Sequence, residues 1–255
     1  MQLAYRQLGQ GRPLLILHGL YGSGRTWNAI GKQLSTDYSV YLPDLRNHGD
    51  SPWDSDHSYA AMAQDIAEFM QTHALEAPIL VGHSMGGKVA MELALTPHTP
   101  PLGGLVVVDI APRAYRSRYH HGILEALCAM HPETLDSRAE ADAELEADIP
   151  DTLVRQFLIT NLVRREEGGF RWKINVQGLY QDLDAILGPV RAGSYPHPAL
   201  FMRGANSDYV RAEDLPPLYA QFPQAQLVSI PDAGHWVHAD QPAVFISQLR
   251  QFLGA

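Results

Sequence analysis

Ser84 stands at the centre of Gly82-His83-Ser84-Met85-Gly86, where the apolar run Ile79-Leu80-Val81 gives way at once to the helix-forming Lys88-Val89-Ala90-Met91-Glu92-Leu93. Small residues on either side let a strand reverse directly into a helix and leave the serine hydroxyl exposed at the apex on a strained backbone. The helix N-terminus that follows directs unpaired N–H groups and a positive dipole end at any oxyanion formed beside it. Ser84 is therefore a candidate nucleophile. A serine hydroxyl is weak at neutral pH and needs a histidine base that a carboxylate orients. His235 is the best base: it follows the last strand-like run and precedes the last helix-like one, in Pro231-Asp232-Ala233-Gly234-His235-Trp236. His18 and His83 belong to tight turns, His48 to a Gly-containing loop, and His120-His121 to a helical stretch, so their claims are weaker.

These residues must be carried to one place, and the chain has elements suited to that. Strand-like runs span Leu3–Leu8, Leu14–His18, Val40–Leu42, Ile79–Gly82, Leu105–Asp109, Leu200–Arg203 and Leu227–Ile230. Continuous apolar runs such as Leu105-Val106-Val107-Val108 suit strands covered on both faces. Helical patterns lie between them, near Thr26–Leu34, Tyr59–His73, Met85–Leu95, Leu215–Phe222 and Gln241–Leu253, with Gly254 placed to stop the last. Such alternation predicts a mainly parallel sheet with helices on both sides, whose loops after each strand share one edge. Ser84 and His235 then meet there. The loop after Leu14–His18, His18-Gly19-Leu20-Tyr21-Gly22-Ser23-Gly24, reaches the same edge, and the Leu20 and Met85 N–H groups are the expected oxyanion donors.

Regularity breaks between about Ala111 and Val190, where no convincing strand is visible. Leu153, Val154, Phe157, Leu158 and Leu162 fall on one helical face, and Leu179, Leu183, Ile186 and Leu187 on another. An all-helical insertion at this point lies over the edge where such folds bind ligands, so residues 111–190 read as a lid on a core of 1–110 and 191–255. Within it, Glu133–Asp151 carries eight acids against one arginine, the composition of a solvated face or of an electrostatic gate that repels anionic substrates.

Composition narrows the function classes. The 255 residues have a net charge of −9 and only three lysines, which argues against a nucleic-acid partner. The single cysteine, Cys128, rules out an intrachain disulfide and fits a reducing, cytoplasmic setting. No signal peptide and no apolar run long enough for membrane insertion is seen. No metal-ligand spacing is present, so neither a metal nor a cofactor is expected.

The order nucleophile, acid, His235, with His18-Gly19, Asp44-Leu45-Arg46-Asn47-His48-Gly49-Asp50-Ser51, the Gly82–Gly86 turn and Gly234-His235, resembles the alpha/beta-hydrolase family over nearly the whole chain. Arg46-Asn47-His48-Gly49 and Val108-Asp109-Ile110-Ala111-Pro112 are similar to the YbfF-type bacterial esterases and their mitochondrial relatives. The resemblance implies an α/β fold, the alpha/beta-hydrolase fold, with the lid inserted after the strand that follows the nucleophile turn. The usual acid position of the family, three residues past the glycine of Arg203-Gly204, holds Ser207 here, and Asp208 is one place late. YbfF-type esterases resemble this chain in placing an acid at the end of the earlier strand, which makes Asp109 the expected acid and Asp208 the alternative. Ser207 is then an auxiliary hydrogen-bonding group near His235.

What the resemblance implies is a serine hydrolase acting on small-molecule carboxylic esters or thioesters of small to medium acyl chains through an acyl-enzyme. Leu20, Tyr21, Met85, Tyr209 and Trp236 are expected around an apolar acyl pocket. Arg113, Arg116 and Arg118 at the lid entrance either receive an anionic group or stay solvated. Two rivals stand beside this reading: a ligand receptor that keeps the fold with little turnover, and a carbon–carbon bond hydrolase. The oligomeric state is not legible.

Overall fold

A computed structural model describes residues 1–99, 101–116 and 118–254. Seven strands form the central sheet: β1 (Tyr5–Leu8), β2 (Arg12–Leu17), β3 (Tyr38–Pro43), β4 (Ile79–His83), β5 (Gly104–Val108), β8 (Ala199–Gly204) and β9 (Ala225–Ile230), while β6 (Leu162–Arg164) and β7 (Phe170–Trp172) pair apart from it. The spatial order is β1-β3-β2-β4-β5-β8-β9, parallel throughout except for β1, which runs antiparallel to β3. The helices in chain order are α1 (Asn28–Leu34), α2 (Tyr59–Thr72), α3 (Met85–Leu95), α4 (Arg118–Ala129), α5 (Arg138–Leu145), α6 (Thr152–Ile159), α7 (Val176–Gln181), α8 (Leu183–Leu187), α9 (Leu215–Gln221), α10 (Val237–Asp240) and α11 (Pro242–Leu253).

Strand side chains alternate between two apolar layers, as the two-residue period of a pleated strand requires. Leu15, Leu17, Leu80, Leu105 and Val107 face the layer that holds Met62, Ile66 and Phe69 of α2 and Val89 and Met91 of α3. Leu14, Ile16, Ile79, Val81, Val106 and Val108 face the opposite layer, closed by Ile30 and Leu34 of α1 and Phe245 and Leu249 of α11. Both sides of the sheet are covered, which is why these strands read as unbroken apolar runs. Gly254 ends α11 in the left-handed region at φ 72°.

The stretch between β5 and β8 departs from expectation in two respects. It holds α4 to α8, but also the antiparallel hairpin β6–β7, in register Leu162↔Trp172 to Arg164↔Phe170. Leu162, expected to continue the helical face of Leu158, is instead the first residue of β6, because α6 ends at Ile159 and Thr160 caps it. The second apolar face is likewise divided between two short helices, α7 and α8. Apolar residues of this insertion, among them Ile123, Leu124, Leu158, Leu179 and Ile186, join the α2–α3 layer. Among the described residues, no helix is long and apolar enough to cross a membrane.

Candidate active site

The turn from β4 into α3 is as tight as its glycines suggest. A Cβ on Gly82 would sit 2.2 Å from the Gly86 carbonyl oxygen, and one on Gly86 would sit 2.5 Å from that of Leu17. Ser84 between them is held at φ 53°, ψ −119°, a conformation that costs an L-residue on the order of 1–3 kcal/mol and survives only where the surroundings enforce it. The Ser84 N–H bonds to the Val108 carbonyl at 3.0 Å and its carbonyl accepts from the Lys88 N–H at 3.1 Å, so both ends of the residue are fixed.

Ser84, His235 and Asp109 come together from three loops at the same sheet edge. Ser84 Oγ lies 3.0 Å from His235 Nε2, and His235 Nδ1 lies 2.7 Å from Asp109 Oδ2. Asp109 has 0% exposure, and its other oxygen accepts the Gly204 N–H at 3.0 Å. Ser207 donates its hydroxyl to Asp109 Oδ2, the oxygen that also faces His235. Asp208 is exposed on the same loop; its backbone carbonyl accepts from Arg211 Nε, and its carboxylate is not among the partners of His235. The carboxylate beside His235 is thus that of Asp109, with Ser207 in the vacated position.

The rest of the His235 surroundings was only partly visible in the sequence. Tyr209, expected in the acyl pocket, stacks on the His235 ring at 3.8 Å between centroids and 17° between planes. Its loop is pinned by Tyr115, which donates its hydroxyl to the Tyr209 carbonyl at 2.7 Å. The His83 Nε2–H donates to the His235 carbonyl at 2.8 Å, which holds the histidine loop against the strand that carries Ser84. Complete burial pushes His83 well below the ordinary histidine value, so it is neutral and a fixed donor. His120, a weak candidate base from the sequence, is instead part of the surroundings of His235: it bridges Tyr21 Oη at 3.4 Å and Tyr209 Oη at 3.3 Å. Burial lowers it to about 4. Its only sequence signal was its place in a helical pattern of the insertion, beside His121.

The loop after β2 is held by two buried histidines. His18 Nε2 accepts the Leu45 N–H at 2.9 Å while Nδ1 donates to the Gly19 carbonyl, and His48 Nε2 accepts the Tyr21 N–H at 3.3 Å while Nδ1 donates to Arg46. Both are fully buried and pushed down, to about 4 and about 3 respectively, chiefly by loss of solvation. Tyr21 is at φ 64°, and its carbonyl accepts from Asn161 Nδ2 at 2.8 Å. Asn175 of the insertion in turn donates its N–H to the Asn47 carbonyl at 2.9 Å. Leu20 thus sits in a fixed turn and lines both cavities that Ser84 lines, and Met85 opens α3, where a backbone N–H has no partner within the helix.

Two cavities meet at Ser84. One, of about 410 Å³, is mainly apolar; Leu20, Tyr21, Tyr209 and Trp236 line it, joined by Val154 and Phe157 of α6. Met85 lies instead on the second, of about 740 Å³, together with Lys88, Arg113 and Arg116. Arg113 is engaged by Asp214, Nε to Oδ1 2.5 Å. Among the described residues, no group of three or more His, Cys, Asp or Glu side chains is arranged to hold a metal ion.

A serine, a histidine and a buried carboxylate at these distances form a proton relay suited to acyl transfer. Comparison with known proteins gives the same direction. The alpha/beta hydrolase family matches residues 14–248. The chain belongs to that family. It is 41% identical over 249 residues to the sn-1-specific diacylglycerol lipase ABHD11 of Mus musculus, covering 94% of this chain and 80% of that one. Esterase YbfF of Escherichia coli (strain K12) is 36% identical over 241 residues, covering 94% of this chain and 92% of that one. A solved marine microorganism esterase superposes with a TM-score of 0.94 at 41% identity over 98% of this chain and 99% of the other. With such relatives along almost its full length, this alpha/beta hydrolase is an enzyme of the carboxylesterase type.

Proposed function

We propose that this chain is a serine esterase that hydrolyses small-molecule carboxylic esters, or thioesters, of small to medium acyl chains through an acyl-enzyme on Ser84. The observation that carries the reading is the continuous relay of 3.0 Å and 2.7 Å from Ser84 through His235 to Asp109. His235 Nε2 takes the hydroxyl proton as Ser84 Oγ attacks the acyl carbon. The Leu20 and Met85 N–H groups stabilise the oxyanion, an interaction typically worth about 100- to 1,000-fold in turnover per donor. His235 then protonates the departing alcohol or thiol, and afterwards takes a proton from the water that releases the acid. Asp109 keeps Nδ1 protonated and stabilises the imidazolium, and Ser207 and the Gly204 N–H keep Asp109 in place. The apolar cavity of about 410 Å³ supports an acyl or alkyl chain of modest length. Residues 111–190 serve as a lid on the core of 1–110 and 191–255; Tyr119, Ile123, Val154 and Phe157 share the cavity that Ser84 opens into.

The test is a p-nitrophenyl ester ladder from acetate to palmitate, run on the wild type and Ser84→Ala in parallel. Turnover that peaks at one chain length and vanishes in a folded Ser84→Ala protein is expected. Equal turnover in the two proteins would exclude Ser84 as nucleophile, and tight ester binding without turnover in the wild type would favour a receptor.

A further inference from the structure

The second cavity at Ser84 differs from the first in the charged side chains on its wall. Four cations, Lys88, Arg113, Arg116 and Arg211, stand on its wall against one acid, Asp208. This runs against a chain whose net charge is −9. Arg113 is already engaged by Asp214, and Arg211 faces Glu213 at 3.8 Å. Lys88 and Arg116 are the charges left for an occupant.

Lys88 is the more telling of the two. It lies one helical turn beyond Ser84, to whose carbonyl its N–H bonds at 3.1 Å, and it is only 1% exposed. Its Nζ donates to the Gly188 carbonyl and lies 5.3 Å and 4.7 Å from the ring centroids of Tyr59 and Tyr115. No carboxylate pairs with it among the described residues. Lysine is almost never buried this fully without a counter-ion, because desolvating an ammonium costs several kcal/mol. One of three ammonium donors is satisfied by Gly188, which leaves two for an acceptor in the cavity. Burial, with Arg113 nearby, lowers Lys88 to about 7, so an arriving anion would also secure its charge.

We propose that the second cavity receives a carboxylate carried by the substrate, with Lys88 as its counter-ion and Arg116 at the mouth, so that the preferred substrates are esters bearing one free carboxylate, such as half-esters of dicarboxylic acids. One buried monocation with two spare donors matches a monoanion; a phosphate dianion would need a second fixed cation, and Arg113 and Arg211 already face carboxylates. Lys88 takes no part in bond making. The ester C–O bond breaks through Ser84, water supplies the new hydroxyl, and alcohol and dicarboxylate leave. The proposal rests on the esterase reading above.

The experiment compares kcat/KM for the monoethyl and diethyl esters of glutaric and adipic acids in the wild type, Lys88→Met, Lys88→Arg and Arg116→Gln. The half-ester to diester ratio is read within each protein, so a loss common to both substrates cancels. The wild type is expected to favour the half-ester at least about tenfold, and Lys88→Met to lower the ratio about 10- to 100-fold, chiefly through KM. Lys88→Arg should keep part of the preference, and Arg116→Gln should lower it about twofold. A lysine that merely ties α3 to Gly188 would leave the ratio unmoved. Diester turnover with no half-ester preference, or an unchanged ratio in Lys88→Met, overturns the carboxylate site and leaves the esterase reading standing. Calorimetry of monoethyl glutarate on Ser84→Ala decides the site independently of turnover: binding that weakens at least tenfold in Ser84→Ala/Lys88→Met supports it, and absence of binding overturns it. Failure of both esters and of the p-nitrophenyl ladder would instead defeat the esterase reading. If Lys88→Met does not fold, the Arg116→Gln ratio and competitive inhibition of the wild type by glutarate decide, and no effect in either overturns the site.

Discussion

Asp109→Asn is the substitution whose outcome the geometry constrains most. The Gly204 N–H, 3.0 Å from Oδ1, can only donate, so the asparagine must turn its carbonyl oxygen to that side. Its amide nitrogen then takes the place of Oδ2, 2.7 Å from His235 Nδ1. An amide N–H there makes Nδ1 an acceptor and moves the imidazole proton to Nε2, which faces Ser84 Oγ at 3.0 Å. A protonated Nε2 cannot take the serine proton. The fold should survive, since volume and one hydrogen bond are kept, and KM should change little. Turnover should fall about 10⁴-fold, equivalent to about 5 kcal/mol of barrier. The assay is kcat and KM for p-nitrophenyl butyrate, with Asp208→Asn beside it and a thermal melt of each protein. Asp208→Asn should stay within about threefold of wild type. A loss under tenfold in Asp109→Asn, together with a severe loss in Asp208→Asn, would refute the reasoning and transfer the role to Asp208.

Ser207→Ala removes one of the donors to Asp109 Oδ2 and should lower kcat about tenfold with little change in Tm; unchanged kinetics would take Ser207 out of the relay. Gly82→Ala would force a Cβ to 2.2 Å from the Gly86 carbonyl and should cost on the order of 3 kcal/mol, about 10 °C in Tm, so a wild-type melt would contradict the packing described. Stability should also fall with acid. His18, His48, His57, His120 and His238 are held by burial to about 4, 3, 2, 4 and 3, whereas unfolded histidines titrate at about 6.5. Their lowered values mean that unfolding takes up protons below about pH 6.5, so the stability present above that pH drains away as pH falls towards the folded values. Urea midpoints measured from pH 8 to pH 5 should decline steeply below about 6.5, and a flat series would show that these rings are not held neutral.

Much of the sheet was legible because residues such as Leu105-Val106-Val107-Val108 are apolar on both faces, a pattern that few other settings produce. Asp109 was legible because it follows that run directly, Ser84 because it stands in the glycine turn after Ile79-Leu80-Val81, and His235 because Gly234-His235 lies between the last strand-like run and the last helix-like one. The hairpin β6–β7 was not. Its strands have three residues each, and Leu162 falls four places after Leu158, so the helical period seemed to continue through it. The signal was the turn, where Gly168 and Gly169 take φ 98° and φ 66° in Glu166-Glu167-Gly168-Gly169. Lys88 was equally opaque: on a helix, a lysine reads as a solvated face, and only the packing of α3 under Tyr59 and Tyr115 shows it buried. The role of His120 depends on contacts 89 and 99 residues away, and the stacking of Tyr209 on His235 on the path of two separate loops, which no periodicity encodes.

The bond from Asn161 to the Tyr21 carbonyl joins positions 140 residues apart. Tyr21 is stretched between two anchors, His48 on its N–H and Asn161 on its carbonyl, in a left-handed conformation that a tyrosine leaves readily when released. One anchor, His48, lies in the turn that follows β3; the other, Asn161, rides on the insertion. Swinging the insertion outward would therefore slacken the peptide next to Leu20 as it uncovered Ser84. On the proposed roles, access and competence would be alternatives in time: Ser84 would be reachable when the Leu20 donor is loose, and potent when it is roofed. An enzyme strung in this way would carry a safeguard against stray esters that meet it open, because the displacement that admits them would also disarm it.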